Sequence, residues 1–271
     1  MKYFKKIYVD AYYFFAKLIF KKKALRVPDF LRSTTNVFFY FDYEREFGGH
    51  KTEISDQDIL FLLKLLEEYH IKTTWFTVGK ILEKYPESVQ NILSHGHEIG
   101  SHTYAHLAPL RTPGKILKND FKKYAEIAES KNIITGFHSP NGLWNTNSIR
   151  LCSKNNYSYD VISCKKSSIE KPYMLTLSEN KRIVRLNTIG DDWLLYKSNY
   201  SENEVLQFFI KNSTFFNQGN ILGFGFHPWV LFSDENFLKG FKKFLKYIKT
   251  KENIRIETAG FFAEALSKNI K

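Results

Sequence analysis

Two histidines four positions apart, His102 and His106, have the spacing of a metal-binding pair. On a helical turn, residues four apart face the same way, and two imidazole nitrogens suit a metal of the zinc type. A bare pair of this kind is common by chance. Gly96 and Gly100 precede the pair and allow a tight exit from a strand into a loop. The pair is therefore a candidate metal site that needs support from other residues.

Two carboxylates, Asp42 and Glu44, follow the apolar run Val-Phe-Phe-Tyr-Phe at residues 37–41. If the strand continues, side chains two positions apart point to the same side. One carboxylate could then act as a base and the other as a metal ligand. The alternative is the start of a loop whose acids are solvated.

Three further polar groups follow short apolar runs. His138 precedes the Pro-Asn-Gly turn at residues 140–142, whose backbone N–H groups could stabilise an oxyanion, although an ordinary turn has the same sequence. His227 ends a strongly apolar run, and such a histidine is more often structural. Paired with a carboxylate such as Asp191 or Asp192, it becomes a candidate general acid.

Three tryptophans, Trp144, Trp193 and Trp229, stand beside these polar groups. Their rings could stack on sugar rings or fill the core, since both uses suit a large aromatic side chain. The sequence leaves the two roles open.

The elements that would position these groups alternate between strand-like and helix-like stretches from residue 36 onward. The predicted strands are 36–44, 73–78, 97–100, 135–138, 157–163, 182–188, 221–226 and 254–257. The predicted helices are 54–70, 87–94, 115–131, 146–155, 202–216, 235–249 and 262–267. This alternation predicts a mostly parallel α/β fold. About seven units would form an imperfect barrel with its active groups at the carboxyl ends of the strands.

The bulk composition fits one large barrel and an unusual N-terminus. The chain has 271 residues, 43% of them hydrophobic, and a formal charge of +12. Residues 1–26 carry eight lysines and arginines against one acid, Asp10. No nucleic-acid-binding module is recognisable, so nucleic acid is not an expected partner. The two cysteines, Cys152 and Cys164, are too few for a disulfide framework and are expected to be buried free thiols, which is compatible with the cytoplasm.

The N-terminal segment 1–30 is predicted to be a basic, aromatic, amphipathic helix. Its apolar stretch, 7–20, is interrupted by charges and short for a membrane span, and no convincing signal peptide is visible. At 100° per residue its lysines fall on one stripe beside a wide apolar face. This pattern predicts that residues 1–26 lie on an anionic membrane surface. The alternative is a helix packed on the barrel. Residues 31–271 are predicted to form the catalytic domain.

In their order along the chain, these groups resemble the motifs of the polysaccharide deacetylase family, also called NodB-homology or carbohydrate esterase family 4. The resemblance covers about residues 36–265, and its most specific part runs from His97 to His106. It implies a distorted (β/α)7-type barrel, and the amphipathic helix before that barrel is predicted from the helical spacing of its own residues.

The first two motifs imply the metal site and the base. By resemblance, His102 and His106 are metal ligands and Asp42 is the base. Many members have two adjacent aspartates in the first motif, but here Tyr43 follows Asp42. Others separate the two acids by one residue, which makes Glu44 the third ligand.

The remaining motifs imply the rest of the machinery. The backbone N–H of Asn141 falls at the position that stabilises the oxyanion, and Asp192 pairs with the general acid His227. The family usually has an arginine where His138 stands, and that arginine orients and tunes the base. His138 or Arg45 is expected to take over this task.

The implied activity is metal-dependent removal of an acetyl or other acyl group from an amino sugar of a glycan or glycolipid. Zinc is the first expectation, with cobalt, nickel and manganese as alternatives. A lipid-linked sugar at the inner face of the cytoplasmic membrane, such as a precursor of a cell-envelope glycan, is the first expectation for the substrate. Soluble nucleotide-linked sugars and polymeric glycans are the alternatives. One alternative is a hydrolase of small cyclic amides or imides on the same barrel. Another is a non-catalytic glycan- or lipid-binding protein.

Overall fold

The computed structural model of the protein describes residues 12–13, 18–131, 133, 136–178 and 181–269. Ten strands lie within these residues. They are β1 (Lys21–Ala24), β2 (Thr35–Tyr43), β3 (Thr74–Thr77), β4 (Glu98–Ser101), β5 (Phe137–His138), β6 (Tyr159–Ser163), β7 (Tyr173–Ser178), β8 (Lys181–Asp191), β9 (Ile221–Phe226) and β10 (Ile254–Ile256).

The same described residues contain ten α-helices. They are α1 (Asp29–Arg32), α2 (Asp56–Glu68), α3 (Gly79–Lys84), α4 (Pro86–Ser94), α5 (Gly114–Ser130), α6 (Thr146–Lys154), α7 (Glu202–Ser213), α8 (Pro228–Leu231), α9 (Glu235–Lys249) and α10 (Ala259–Lys268). Short 3-10 helices span Arg45–Gly48, Pro109–Arg111, Pro140–Gly142 and Trp193–Lys197.

Seven parallel strands close into a barrel, which confirms the fold predicted from the sequence. Their order is β2, β3, β4, β5, β6, β8 and β9, and β9 pairs back to β2. Strand β10 adds to the start of β2 in parallel. Strand β7 pairs antiparallel with β8, and β1 pairs antiparallel with β7, so these two strands extend the sheet beside the barrel.

The barrel interior is filled by large aromatic rings below the functional end of β2. Phe38 and Tyr40 belong to the interior cluster, and Asp42 follows on the same side because side chains alternate along a strand. A Cβ atom on Gly223 would lie 2.3 Å from the Phe38 ring, and one on Gly225 would lie 2.5 Å from the Tyr40 ring. The two glycines on β9 therefore leave space for these rings, which fill the barrel interior below Asp42.

The opposite end of the barrel is closed by apolar side chains from two helices. Leu31 of α1 and Phe262 and Leu266 of α10 are buried in the same interior cluster as Phe38. The polar residues of the sequence motifs stand at the other end of the barrel, where the strands end.

Several elements of the fold were not predicted, among them helix α3 and strand β7. Helix α3 was missed because its six residues make fewer than two helical turns, which is too short to show a periodic apolar pattern. Strand β7 was missed although its first residues are buried, because its apolar and polar residues do not alternate regularly, and no element was predicted between residues 163 and 182.

The predicted N-terminal helix is not confirmed, and it is wrong for residues 21–24. Lys21–Ala24 form strand β1, paired antiparallel with β7 in the same sheet as the barrel. Residues 12–13 and 18–19 are helical, while residues 1–11 and 14–17 of the predicted helix lie outside the described residues. Among the described helices, none combines the length and the apolar character needed to cross a membrane.

Candidate active site

The polar residues singled out in the sequence gather at the carboxyl-terminal ends of the barrel strands. Parallel strands end at the same edge of a barrel, so side chains that are far apart in the chain meet there. Those that meet are Asp42, Glu44, His102, His106, His138, Asn141, Asp192 and His227. Most of them line a pocket of about 430 Å³, whereas His102 and Asp192 are buried behind its wall.

Glu44, His102 and His106 form a group whose ligand atoms could hold one metal ion. Oε1 of Glu44 lies 3.5 Å from Nε2 of His102 and 3.0 Å from Nε2 of His106. Both Nε2 atoms are buried and find no hydrogen-bond partner among the described residues. Buried polar atoms without partners are rare, so this group needs a further occupant.

The protonation of His102 shows which occupant fits. Its Nδ1 lies 2.8 Å from the carbonyl oxygen of His138, and because a carbonyl only accepts, Nδ1 carries the proton. Burial lowers the pKa of His102 to about 4, so the ring is neutral and Nε2 presents a lone pair. A lone pair facing the carboxylate of Glu44 is repulsive unless a cation lies between them. The three residues therefore fit a divalent cation of the zinc type.

The two histidines come together on a loop rather than on the helical turn expected from their spacing. Thr103 and His106 have left-handed φ angles of 62° and 57°, which non-glycine residues adopt only at a cost. The carboxylate of Asp120 accepts from the backbone N–H groups of Tyr104 and Ala105 at 2.8 and 2.9 Å. These two hydrogen bonds hold the strained loop in the conformation that brings His106 close to Glu44.

Glu44 is oriented by a tryptophan whose role the sequence analysis missed. Nε1 of Trp229 donates to Oε2 of Glu44 at 3.0 Å, which leaves Oε1 for the two histidines. The ring of His50 stacks on Trp229 with centroids 4.3 Å apart. Gly48 leaves the space, since a Cβ there would lie 2.3 Å from Oε2 of Glu44. The position of Trp229 just after His227 was the available signal for this role.

Replacing Trp229 with phenylalanine is expected to weaken metal binding by about 10- to 100-fold, as loss of an outer partner of a metal ligand commonly does. The aromatic volume is kept, but Glu44 loses the donor that fixes its rotamer. Zinc affinity measured by competition with a chromophoric chelator checks this. Trp75→Phe, in the core with its own indole N–H unpartnered among the described residues, is the matched control. Equal zinc affinity for wild type and Trp229→Phe would contradict the orienting role.

Asp42 stands at the centre of the site, among three histidines. Its Oδ1 lies 3.7 Å from Nδ1 of His102, and its Oδ2 lies 3.7 Å from Nε2 of His138 and 3.6 Å from Nε2 of His227. Burial raises the pKa of Asp42 well above its usual value, despite the opposing charge of His227. A carboxylate with a raised pKa is a stronger base, which suits Asp42 to accept a proton.

Neither His138 nor Arg45 supplies the charge of the arginine that the family usually has. Nδ1 of His138 donates to the carbonyl of Val161 at 3.0 Å, and burial lowers the pKa of His138 to about 3, so its ring is neutral. Arg45 stacks on Tyr85, with its guanidinium carbon 3.7 Å from the ring centroid, and points away from Asp42. Neither residue therefore brings a positive charge to Asp42, although Nε2 of His138 lies 3.7 Å from Oδ2 of Asp42 and stays a candidate for orienting it.

The positive charge nearest Asp42 belongs instead to His227. Nδ1 of His227 lies 2.7 Å from Oδ1 of Asp192, and the His227 backbone N–H donates to Oδ2 of Asp192 at 3.0 Å. Burial alone lowers the pKa of His227, but the paired Asp192 carboxylate outweighs it and raises that pKa well above its usual value. His227 is therefore held as an imidazolium with Nε2 facing the pocket, which suits a general acid.

The turn that carries Asn141 lines the same pocket as His227. Asn141 has a left-handed φ of 57° inside the 3-10 helix Pro140–Gly142, a conformation that asparagine tolerates better than most residues. Arg111 also lines the pocket and was not assigned there from the sequence, whereas Asp191, which lines it too, was considered as a partner of His227. Arg111 gives the rim a basic side chain, which suits a polar or anionic part of a ligand.

Of the three tryptophans for which the sequence left sugar stacking and core packing open, Trp193 is the one whose ring stays accessible. Trp193 is 44% exposed and lines the pocket. Trp144 is covered by the Tyr13 ring at 4.8 Å and by the Arg185 guanidinium at 4.0 Å. Trp229 is buried under His50. Stacking is therefore corrected for Trp144 and Trp229, because other side chains cover their rings.

Comparisons with known proteins agree with the family resemblance. Residues 58–159 match the sequence model of the family described as polysaccharide deacetylase. A peptidoglycan deacetylase from Helicobacter pylori is 31% identical over 137 residues, which cover 49% of this chain and 45% of that relative. The match thus spans less than half the length of this relative.

Solved structures share the fold. A protein from Mycobacterium smegmatis described as a polysaccharide deacetylase superposes with a TM-score of 0.73 at 18% identity, covering 92% of this chain and 96% of that one. An allantoinase superposes with a TM-score of 0.66 at 14% identity, covering 86% and 90%. At these identities the likeness shows the barrel alone, which both kinds of enzyme use.

Proposed function

We propose that this chain, which resembles the polysaccharide deacetylase family and matches its sequence model over residues 58–159, is a metal-dependent hydrolase that removes an acetyl group from an amino sugar of a glycan. One observation carries the proposal. The Asp42 carboxylate lies between a three-ligand metal group and the imidazolium of His227 in one pocket. Such an arrangement supports a mechanism in which a base, a Lewis-acid site and an acid act on one scissile bond.

The chain's own residues divide the work of amide hydrolysis. Glu44, His102 and His106 would hold a divalent cation, which supplies Lewis acidity to the acyl oxygen and makes water more acidic. Asp42 accepts the proton of the attacking water. The backbone N–H of Asn141 donates to the acyl oxygen as negative charge develops there. His227 gives its Nε2 proton to the leaving amine, and Asp192 stabilises the imidazolium until then.

A sugar substrate is favoured over a small cyclic amide by the space around the pocket. A second groove of about 480 Å³ adjoins it, and Gly142 and Ser163 line both cavities. The exposed Trp193 adds an aromatic rim. A small cyclic amide would leave the groove and the rim unused, whereas neighbouring units of a glycan would occupy them.

The function is tested by the products released from a substrate panel by the zinc-loaded protein. N-acetylglucosamine, acetylated chito-oligosaccharides and hydantoin are compared by acetate release and by ring opening. Acetate from the acetylated sugars supports the proposal. Ring opening of hydantoin alone would favour the cyclic-amide hydrolase. Zinc binding without any turnover would favour a non-catalytic binding protein.

The pH profile should report on the pair of His227 and Asp192. Turnover needs protonated His227, so kcat falls as pH rises through its pKa. Removing the Asp192 charge lowers that pKa, so Asp192→Asn should move the alkaline limb of the kcat profile to lower pH. We expect kcat at neutral pH to fall by roughly 10- to 100-fold, because the imidazole remains but is less often protonated. An unmoved alkaline limb would contradict the assignment of His227 as the acid.

The substrate proposed here is linked to lipid and presented at the inner face of the cytoplasmic membrane, as in the synthesis of a cell-envelope glycan. Leu18 and Ile19 are 70% and 56% exposed, and the exposed strand Lys21–Ala24 follows them directly. Exposed apolar side chains beside lysines suit a surface of anionic lipid.

Changing Leu18 and Ile19 together to glutamate is expected to lower binding to phosphatidylglycerol vesicles by more than about 10-fold, because two apolar side chains no longer insert. Co-sedimentation measures the bound fraction. Ile116→Glu on α5, where Ile116 is 53% exposed, is the matched control. If the double variant binds these vesicles as wild type does, the membrane proposal is wrong.

A further inference from the structure

Residues 12–13 and 20–24 of the N-terminal segment pack against the sheet and against the core outside the barrel. Between β6 and β8 the chain forms strand β7 instead of a helix, so this crossover adds no helix to the outside of the barrel, and α6 contacts β8 beside it. Strand β1 pairs with β7 there, and Phe20 is buried in the core that lies outside the barrel strands. Tyr12 and Tyr13, which precede Phe20 in the sequence, pack against the same core.

The side chains of these two tyrosines reach the turn that carries Asn141. The hydroxyl of Tyr13 donates to the carbonyl oxygen of Gly142 at 3.3 Å. The hydroxyl of Tyr12 accepts from the backbone N–H of Thr146 at 3.0 Å. Thr146 is the first residue of α6, and its N–H has no partner within the helix. The two contacts therefore hold both ends of the segment from Gly142 to Thr146.

The Tyr13 ring is itself held by a stack that reaches into the buried sheet. It lies 4.8 Å from the Trp144 ring at an interplanar angle of 16°. The Arg185 guanidinium packs on Trp144 at 4.0 Å and donates to both carboxylate oxygens of Asp160 at 2.7 to 3.0 Å. Because this ion pair is buried and bidentate, it is rigid. Through the Trp144 ring, the ion pair restricts the position of the Tyr13 ring.

The opposite side of the turn has a separate support. The backbone N–H of Leu110 donates to the carbonyl of Leu143 at 3.0 Å, and Nδ2 of Asn145 donates to the carbonyl of Pro109 at 2.6 Å. The turn thus lies between residues 109–110 on one side and the two tyrosines on the other. Asn141 needs such support, because its left-handed φ is not an intrinsically favoured conformation.

We propose that Tyr12 and Tyr13 are positioning residues that fix the Asn141 backbone N–H for the reaction, so that the N-terminal segment is part of the catalytic unit. The inference rests on the proposed deacetylation. It explains why tyrosines of the N-terminal segment reach residues more than a hundred positions away. A displaced donor stabilises the developing negative charge less well, so the loss should fall on turnover rather than on substrate binding.

The test uses the full zinc-loaded chain and removes the hydroxyl groups alone. Tyr13→Phe should lower kcat by about 3- to 10-fold, and Tyr12→Phe with Tyr13→Phe by about 10-fold or more, if each hydroxyl contributes one neutral hydrogen bond. KM for acetylated chito-oligosaccharides should change less than about twofold, since these contacts act on the transition state. Tyr247→Phe on α9 is the control for loss of a hydroxyl far from the site.

Hydrogen exchange supplies a readout that does not need turnover. The amides of Gly142 and Leu143 donate within the turn to Ser139 and Pro140, so their exchange reports its rigidity. They should exchange faster in the double variant, while β9 stays protected as in wild type. Wild-type kcat together with wild-type exchange would overturn the inference. If wild type itself released no acetate, the proposed function would fail, and exchange alone would decide whether the tyrosines hold the turn.

Discussion

Replacing Asp42 with asparagine is expected to lower kcat by about 10²- to 10⁴-fold, the usual contribution of a general base. Asparagine has nearly the same shape but cannot accept the proton of the attacking water. Asp42 lies within 3.7 Å of three histidine nitrogens without belonging to the group of Glu44, His102 and His106. Zinc affinity should therefore stay close to that of wild type while turnover is lost.

Two measurements separate this loss of the base from a loss of the metal. Acetate release gives kcat, and competition with a chelator gives the zinc affinity of the same preparation. Asp29→Asn, at a side chain that is 83% exposed, controls for the substitution itself. A variant that turns over within tenfold of wild type would show that Asp42 is not the base. A variant that loses zinc would place Asp42 among the ligands instead.

The barrel was predictable because its strands carry their own signal. Ile221–Phe226 is a continuous apolar run, and α9 has strong periodicity, so both were predicted with the bounds that the structure shows. Strand β1 has no such signal. Its residues Lys-Lys-Lys-Ala are exposed throughout, and it exists because β7 offers a sheet edge. Because β1 depends on pairing with a strand far along the chain, its own residues show no periodic pattern.

The site was predictable as a set of residues but not as a set of contacts. The order of motifs brought Asp42, Glu44 and His227 to one barrel end, as the structure has them. The donor that orients Glu44 is 185 residues away in Trp229, and the hydroxyl that holds Gly142 is 129 residues away in Tyr13. Both are aromatic side chains that composition would assign equally well to the core. The sequence could not tell which aromatic side chains pack and which also donate.

Loss of His102 should have the other large effect, because it removes a ligand rather than a supporting contact. We expect His102→Ala to weaken zinc binding by more than about 100-fold, beyond the usual cost of losing an outer partner. Acetate release should fall to background at zinc concentrations that saturate wild type. His106→Ala should behave in the same way, since both Nε2 atoms face Oε1 of Glu44.

Thermal unfolding tests this expectation without relying on turnover. A cation that binds only the folded chain at 100 times its Kd stabilises it by about 2.7 kcal/mol, which raises the Tm of a chain of this size by several degrees. Zinc should raise the Tm of wild type but not of His102→Ala. His95→Ala is the control, because His95 lies near the closed end of the barrel, where its backbone carbonyl accepts from Lys72. A full zinc-dependent rise in His102→Ala would remove His102 from the metal site, and the pair with His106 would lose the geometric basis of its assignment.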